Sequence, residues 1–228
     1  MSSPSPSPSP TCPCPFCAIA SSHPPLPPSS LPTEKPGNTA IEVRKISDPP
    51  QTYLILSTKH VLAFLDIMPL TRGHVLVVPR DHYEKIGDVG VRIGAELGKW
   101  LPILSRVVVR TVLGQGPDAR GEDPGNWNVV QNNGARAAQV VPHVHFHIIP
   151  RPPLNSTAPL SPPTKGGWIM FGRGQRQELD DDEAKELVRE LRVELSKEVQ
   201  RVKEEEGVDL DLDGVSDGGD VVRRMERL

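Results

Sequence analysis

The sequence predicts an α+β fold: a five-stranded antiparallel sheet with two helices on one side, flanked by disordered N-terminal and Pro-rich segments. Short runs rich in β-branched and aromatic residues follow one another at turn-length intervals, YLILS (53–57), HVLAFLDI (60–67) and HVLVVPR (74–80). Two further runs, WNVVQ (127–131) and HVHFHIIPR (143–151), are grouped in the same way, so strands gather rather than alternate with helices. Two stretches, 91–113 and 181–205, carry helical apolar spacing instead.

Taken in order, residues 1–11 form a Ser/Pro tail that cannot bury enough apolar surface to offset its ordering entropy. Residues 12–206 are the folded domain. It opens on an island, CPFCAIA (14–20), whose Phe16 and Ile19 suit docking, and a Pro-rich insertion at about 23–50 precedes the first strand. In the first helix Ile93, Leu97, Trp100, Leu101, Leu104, Val107, Val108 and Val112 share a face, with Pro102 as a kink point. A loop rich in Gly and Pro (114–126) leads to the last two strands. A Pro-rich connection (152–165) and the segment KGGWIMFGRGQRQEL (165–179) lead to the second helix, with Asp180 and Glu183 as a capping box. Residues 207–228 read as a flexible acidic tail.

A chain of 228 residues accommodates one core with appendages, and 26 prolines against 4% aromatic residues shrink the packed part further. The formal charge of -3 argues against a nucleic-acid partner, because no global basic surface matches a phosphate backbone. The chain lacks an apolar run of the ~18 residues that a membrane helix needs. Its start has neither the apolar core of a secretory signal nor the arginines of a transit peptide, so the expected location is cytoplasmic, nuclear or both. Cys12, Cys14 and Cys17 crowd together, a spacing for metal binding rather than for disulfides that staple distant segments.

Side chains alternate across a strand, so His143, His145 and His147 share one face while Val144, Phe146 and Ile148 share the other. Imidazoles in register suit two chemistries. They can bind a catalytic zinc that keeps an open position for water, or supply a nucleophile with neighbours that orient it. The preceding connection, 132–142, holds Gly134, Ala137, Ala138 and the amides of Asn132, Asn133 and Gln139, which suit donors aimed at an anion. A phosphate fits there without a metal.

HVHFHII resembles the motif of the histidine triad family, and AFLDI (63–67), RGHVLVVPRDH (72–82) and QNNGARAAQVVPHVHFHIIPR (131–151) resemble its blocks in the same order. The resemblance implies a nucleotidyl transferase or hydrolase acting at the α-phosphorus of a purine nucleotide conjugate, with no cofactor required for catalysis. His145 would attack and form a nucleotidyl-histidine, His147 would contact phosphate oxygens, and His143 would orient the site. Asn132 and Gln139 would stabilise charge on the phosphate. Asp66 stands where the Hint branch contacts the ribose hydroxyls, with Phe64 and Ile67 flanking the base. His74 stands either behind the triad or as a hydrogen-bonded core histidine.

Asp66 favours a Hint-like phosphoramidase that releases AMP over a Fhit-like dinucleoside polyphosphate hydrolase. A nucleotide-binding scaffold with little catalysis is the reading from a different class. Ala138, Val140 and Pro142 depart from the family pattern, which bears on leaving-group preference. The resemblance further implies a homodimer and a structural zinc on Cys14, Cys17, His82 and His143. The alternatives are a reduced CxxC pair without metal, or Cys12 in place of one partner.

Overall fold

The computed structural model describes residues 14–30, 52–114, 121, 125–152 and 178–214. The Ser/Pro tail, most of the Pro-rich insertion, residues 153–177 and residues 215–228 lie outside the described residues. The five expected strands are β1 (Leu54–Ser57), β2 (Val61–Leu65), β3 (Val75–Pro79), β4 (Trp127–Gln131) and β5 (Phe146–Pro150). They form one antiparallel sheet in the order β1-β2-β3-β5-β4.

Both long helices are present, α2 (Val91–Leu113) and α3 (Asp181–Glu206), and the CPFC island adds a third, α1 (Pro15–Ser22). Eight residues are too few for helical periodicity to register in the sequence. Pro15 suits the first turn of α1 because an N–H there has no partner within the helix.

Alternation along the strands sorts the apolar side chains into two layers. Val61, Ala63, Leu65, Val75, Val77 and Ile148 face α2 and α3 and form the main core. Leu62, Phe64, Leu76 and Val78 face the other way and pack with Phe16, Ile19 and Ala20 of α1. The pair of long helices therefore occupies one face, as expected, and α1 the opposite one. A register shift between Leu54 and Leu56 sends Leu54 to the α1 layer while Ile55 and Leu56 join the main core.

α2 continues through Pro102, which cannot donate to the Gly98 carbonyl; burial of Leu97, Trp100, Leu104, Val107 and Val108 holds it together. α3 starts where the Asp180 carboxylate accepts from the N–H groups of Asp182 and Glu183, and ends at Gly207 with φ 69°. Between the helices the Glu198 carboxylate is buried and accepts from Arg106, Arg110 and Arg201. The stretch past α3, expected as the start of a mobile tail, packs instead: Leu210 enters the core and the Asp211 carboxylate accepts from Ser29 N–H and Oγ. Residues 210–214 form a 3-10 turn there.

Candidate active site and metal cluster

β5 begins at Phe146, so only His147 of the three histidines lies inside the strand; His143 and His145 sit on its lead-in. That corrects the expectation of a strand from residue 143, and two prolines explain it. Pro142 has no N–H, and Pro79, across on β3, has none to extend the ladder. The Pro79 carbonyl instead accepts from His143 Nε2 at 2.9 Å, and Val144 N–H donates to the Tyr83 carbonyl at 2.7 Å. The rings still converge. Those of His145 and His147 lie 4.9 Å apart between centroids, and the Phe16 ring lies edge-on to His145 at 5.4 Å and to His143 at 5.7 Å.

Backbone partners set the tautomer of each neutral ring, because a carbonyl only accepts and an amide only donates. His143 therefore carries its hydrogen on Nε2. His145 carries it on Nδ1, 2.6 Å from the His143 carbonyl oxygen, so His145 Nε2 holds a lone pair. Burial pushes His145 below the ordinary imidazole range and keeps that lone pair unprotonated near neutrality; burial takes His143 down to about 4.

At His74 the logic reverses. The Leu70 N–H donates to His74 Nδ1 at 3.1 Å, so His74 carries its hydrogen on Nε2 and donates it to His147 Nδ1 at 2.9 Å. Asp66 Oδ2 also lies 3.4 Å from His74 Nδ1, but the shorter contact with an obligate donor decides the tautomer. His147 Nε2 then bears a hydrogen. His74 is thus both a satisfied buried histidine and the residue that orients His147. The site presents a ring-nitrogen lone pair at His145 Nε2 and an N–H at His147 Nε2 on the next ring.

At the other end of the histidine row, Cys14, Cys17, His82 and His143 bring one donor atom each to within 4.8 Å of the others. Cys14 Sγ lies 3.4 Å from His143 Nδ1, and Cys17 Sγ lies 3.3 Å from His82 Nδ1 and 3.6 Å from His143 Nδ1. With Nε2–H committed to Pro79, the Nδ1 lone pair of His143 faces the sulfurs. Two thiols and two imidazoles are the donor set of a closed tetrahedral zinc site, and the carbonyl behind His143 is the kind of partner that orients a ligating imidazole. These residues fit the ion. Asp66, His74 and His147 form a second such group, but the His74 and His147 nitrogens face one another in a hydrogen bond rather than a common centre.

Phe64 is buried against Phe16, with ring centroids 5.5 Å apart, and Ile67 lies half exposed at the end of the same strand segment. Asp66 is buried, and its Oδ1 accepts the Met68 N–H at 2.8 Å, so the expected ribose-binding carboxylate also closes a turn. Gln139 has another duty from the one expected. Its Oε1 accepts the Gly134 N–H, and its Nε2 donates to the Glu84 carbonyl at 2.7 Å and the His143 carbonyl at 3.4 Å, so it holds the 132–142 loop and the carbonyl that orients His145. Asn132 is half-buried in that loop, its carbonyl accepting from Gln131 Nε2. Phe16 was not among the expected site residues; the signal for it is its place between two cysteines whose partners belong to the histidine row.

Three comparisons bear on this arrangement. A HIT domain model matches residues 50–154. Adenosine 5'-monophosphoramidase hnt1 of Schizosaccharomyces pombe is 42% identical over 91 residues, which are 40% of this chain and 58% of that protein, so the match spans less than two thirds of the relative. An uncharacterized HIT-like protein of Borreliella burgdorferi is 32% identical over 136 residues, 60% of this chain and 84% of its own length. The crystal structure of a hypothetical histidine triad nucleotide-binding protein from Sulfolobus tokodaii superposes with a TM-score of 0.49 at 24% identity, covering 68% of this chain and 87% of that one. With the domain model on the histidine row and a relative aligned over most of its length, the chain belongs to the histidine triad (HIT) family.

Proposed function

We propose that this protein is a nucleotide hydrolase or transferase that cleaves a P–N or P–O bond at the α-phosphate of a nucleoside monophosphate conjugate, in the manner of an adenosine 5'-monophosphoramidase. The observation that carries the reading is the tautomer of His145: Nδ1–H is tied to the His143 carbonyl, and the Nε2 lone pair is left beside the N–H of His147. His145 Nε2 attacks phosphorus, and the bond to the leaving group breaks with its electron pair going to that group; an amine leaves neutral by taking up one proton from solvent, which the attacking water of the second step returns. The imidazole becomes a nucleotidyl-imidazolium whose Nδ1–H stays on the His143 carbonyl. His147 Nε2–H stabilises charge on the phosphate oxygens. Water then attacks phosphorus, releases the nucleoside monophosphate and regenerates the neutral ring. Asp66 takes the ribose, and Phe64, Ile67 and Phe16 the base.

The likeness to the Schizosaccharomyces pombe phosphoramidase supports this choice of substrate. Asp66 supports it too, since a carboxylate accepts from both ribose hydroxyls. Zinc on Cys14, Cys17, His82 and His143 is structural in this reading: four protein ligands leave no open position, and the ion ties α1 to the triad. A homodimer is the proposed assembly. β4 is an edge strand carrying exposed Trp127 and Val129, an apolar strip suited to a second copy. The test is an assay of purified protein with adenosine 5'-phosphoramidate and a diadenosine polyphosphate. Release of AMP from the first with little turnover of the second is expected; the opposite preference overturns the choice of substrate.

A further inference from the structure

α1 carries Phe16 to the triad and is held at its two ends by different chemistry. Its N-terminal end meets the body through Cys14 and Cys17 at His82 and His143. Its C-terminal end meets Arg80, the residue after β3. Arg80 Nη1 donates to the Ala20 carbonyl at 2.6 Å and the His23 carbonyl at 2.9 Å. Nη2 donates to Ser57 Oγ at 2.7 Å and the Thr58 carbonyl at 3.0 Å, and Nε reaches Thr58 O at 3.1 Å.

All these acceptors are neutral oxygens. Two of them end α1, where its carbonyls lack partners within the helix and a cation is favoured. Ser57 Oγ shares its own hydrogen between the His23 and Pro24 carbonyls, so the same cluster fixes the chain leaving the helix. Ile19 lies between the two anchors, and Phe16, one turn before it on the same face, lies within the first, between Cys14 and Cys17. Their partners are Phe64 and the other apolar residues on that face of the sheet, with His143 and His145 beside Phe16.

We propose that Arg80 is a positioning residue for the nucleotide: by clamping the C-terminal end of α1 it holds Phe16 and Ile19 in place and sets affinity for the base, without touching the reacting atoms. The assignment rests on the functional reading above. It gives one short helix two anchors, the thiols beside the triad and the guanidinium at the far end, and the second keeps the Phe16 and Ile19 face seated on the sheet.

The test uses the full chain with the metal it is purified with. AMP affinity by calorimetry, kcat and KM with adenosine 5'-phosphoramidate, and amide hydrogen exchange over residues 15–23 are measured for wild type, Arg80→Lys and Arg80→Met. The dissociation constant for AMP is expected to rise about threefold in Arg80→Lys and about tenfold in Arg80→Met. KM rises in step, kcat stays within about twofold, exchange over 15–23 accelerates and zinc content is unchanged. If wild type binds AMP and both folded variants bind it equally well, or if kcat falls at constant KM, the assignment of Arg80 is overturned alone. If Arg80→Met fails to fold, Arg80→Lys decides by the same criteria. A wild type that does not bind AMP overturns the functional reading and the nucleotide role of Arg80 with it.

Discussion

The Nδ1 atom of His145 lies 2.6 Å from the carbonyl oxygen of His143, and Gln139 Nε2 approaches the same oxygen at 3.4 Å. One carbonyl thus joins the proposed nucleophile to the loop before it. Replacing Gln139 by alanine leaves the Gly134 N–H without its acceptor and frees that loop. We expect a stability loss of about 1–3 kcal/mol by urea titration and a fall in kcat of at least about tenfold. Wild-type kcat in a destabilised Gln139→Ala protein contradicts the positioning role.

His74→Phe keeps a planar ring but removes the N–H that faces His147 Nδ1 and the acceptor of the Leu70 N–H. His147 can then carry its hydrogen on either nitrogen. A drop in kcat of roughly 10²-fold with little change in the affinity for AMP is the expected outcome. An equal loss in both points instead to a packing role.

Ala138 adopts a left-handed conformation, φ 64° and ψ 25°, which an L side chain enters at a cost of about 1 kcal/mol or more. Glycine relieves it. Ala138→Gly is expected to raise stability by about 0.5–1 kcal/mol in chemical denaturation, net of the added freedom of the unfolded chain. An unchanged or lower midpoint contradicts the strain.

Burial raises the pKa of Glu198, but hydrogen bonds from Arg201, Arg106 and Arg110 outweigh it and hold the carboxyl at about 2. The folded value lies below the unfolded one. Its stabilisation is therefore complete above the ordinary carboxylate pKa and is lost as pH falls through about 2. Glu198→Gln is expected to lose about 2–3 kcal/mol at pH 7, and the gap from wild type should close on acidification below pH ~4.5. A gap independent of pH contradicts the charge-based account.

Cys14→Ser removes one of four converging donors. Elemental analysis should find about one zinc per wild-type chain and far less in the variant, with Tm lowered by several degrees. Wild-type protein without stoichiometric zinc contradicts the metal assignment.

The strands and long helices were legible because β2, β3, α2 and α3 carry their periodicity within single runs of sequence, and Asp180 and Gly207 mark the helix ends chemically. The histidine row and the cysteine pair were legible from spacing. What escaped depends on contacts far apart in the chain. α1 is too short to show a period, and the late start of β5 is set by Pro79 on another strand as much as by Pro142. Phe16 gains its place only when Cys14 and Cys17 meet His143 and His82. Gln139 read as a phosphate donor because its amide looks available in the sequence, whereas folding commits it to Gly134, Glu84 and His143. Arg80 carries no signal in the sequence, because its partners at the end of α1 lie far away along the chain.

The central claim is that His145 Nε2 forms a bond to phosphorus. Rapid alkaline quench of wild type turning over adenosine 5'-phosphoramidate, followed by peptide mass spectrometry kept off acidic conditions, tests it most directly. An adenylyl adduct on the peptide containing 143–151, absent from His145→Ala, together with a loss of at least about 10³-fold in kcat for that variant, is the predicted result. Sustained turnover by His145→Ala, with no adduct on wild type, contradicts it.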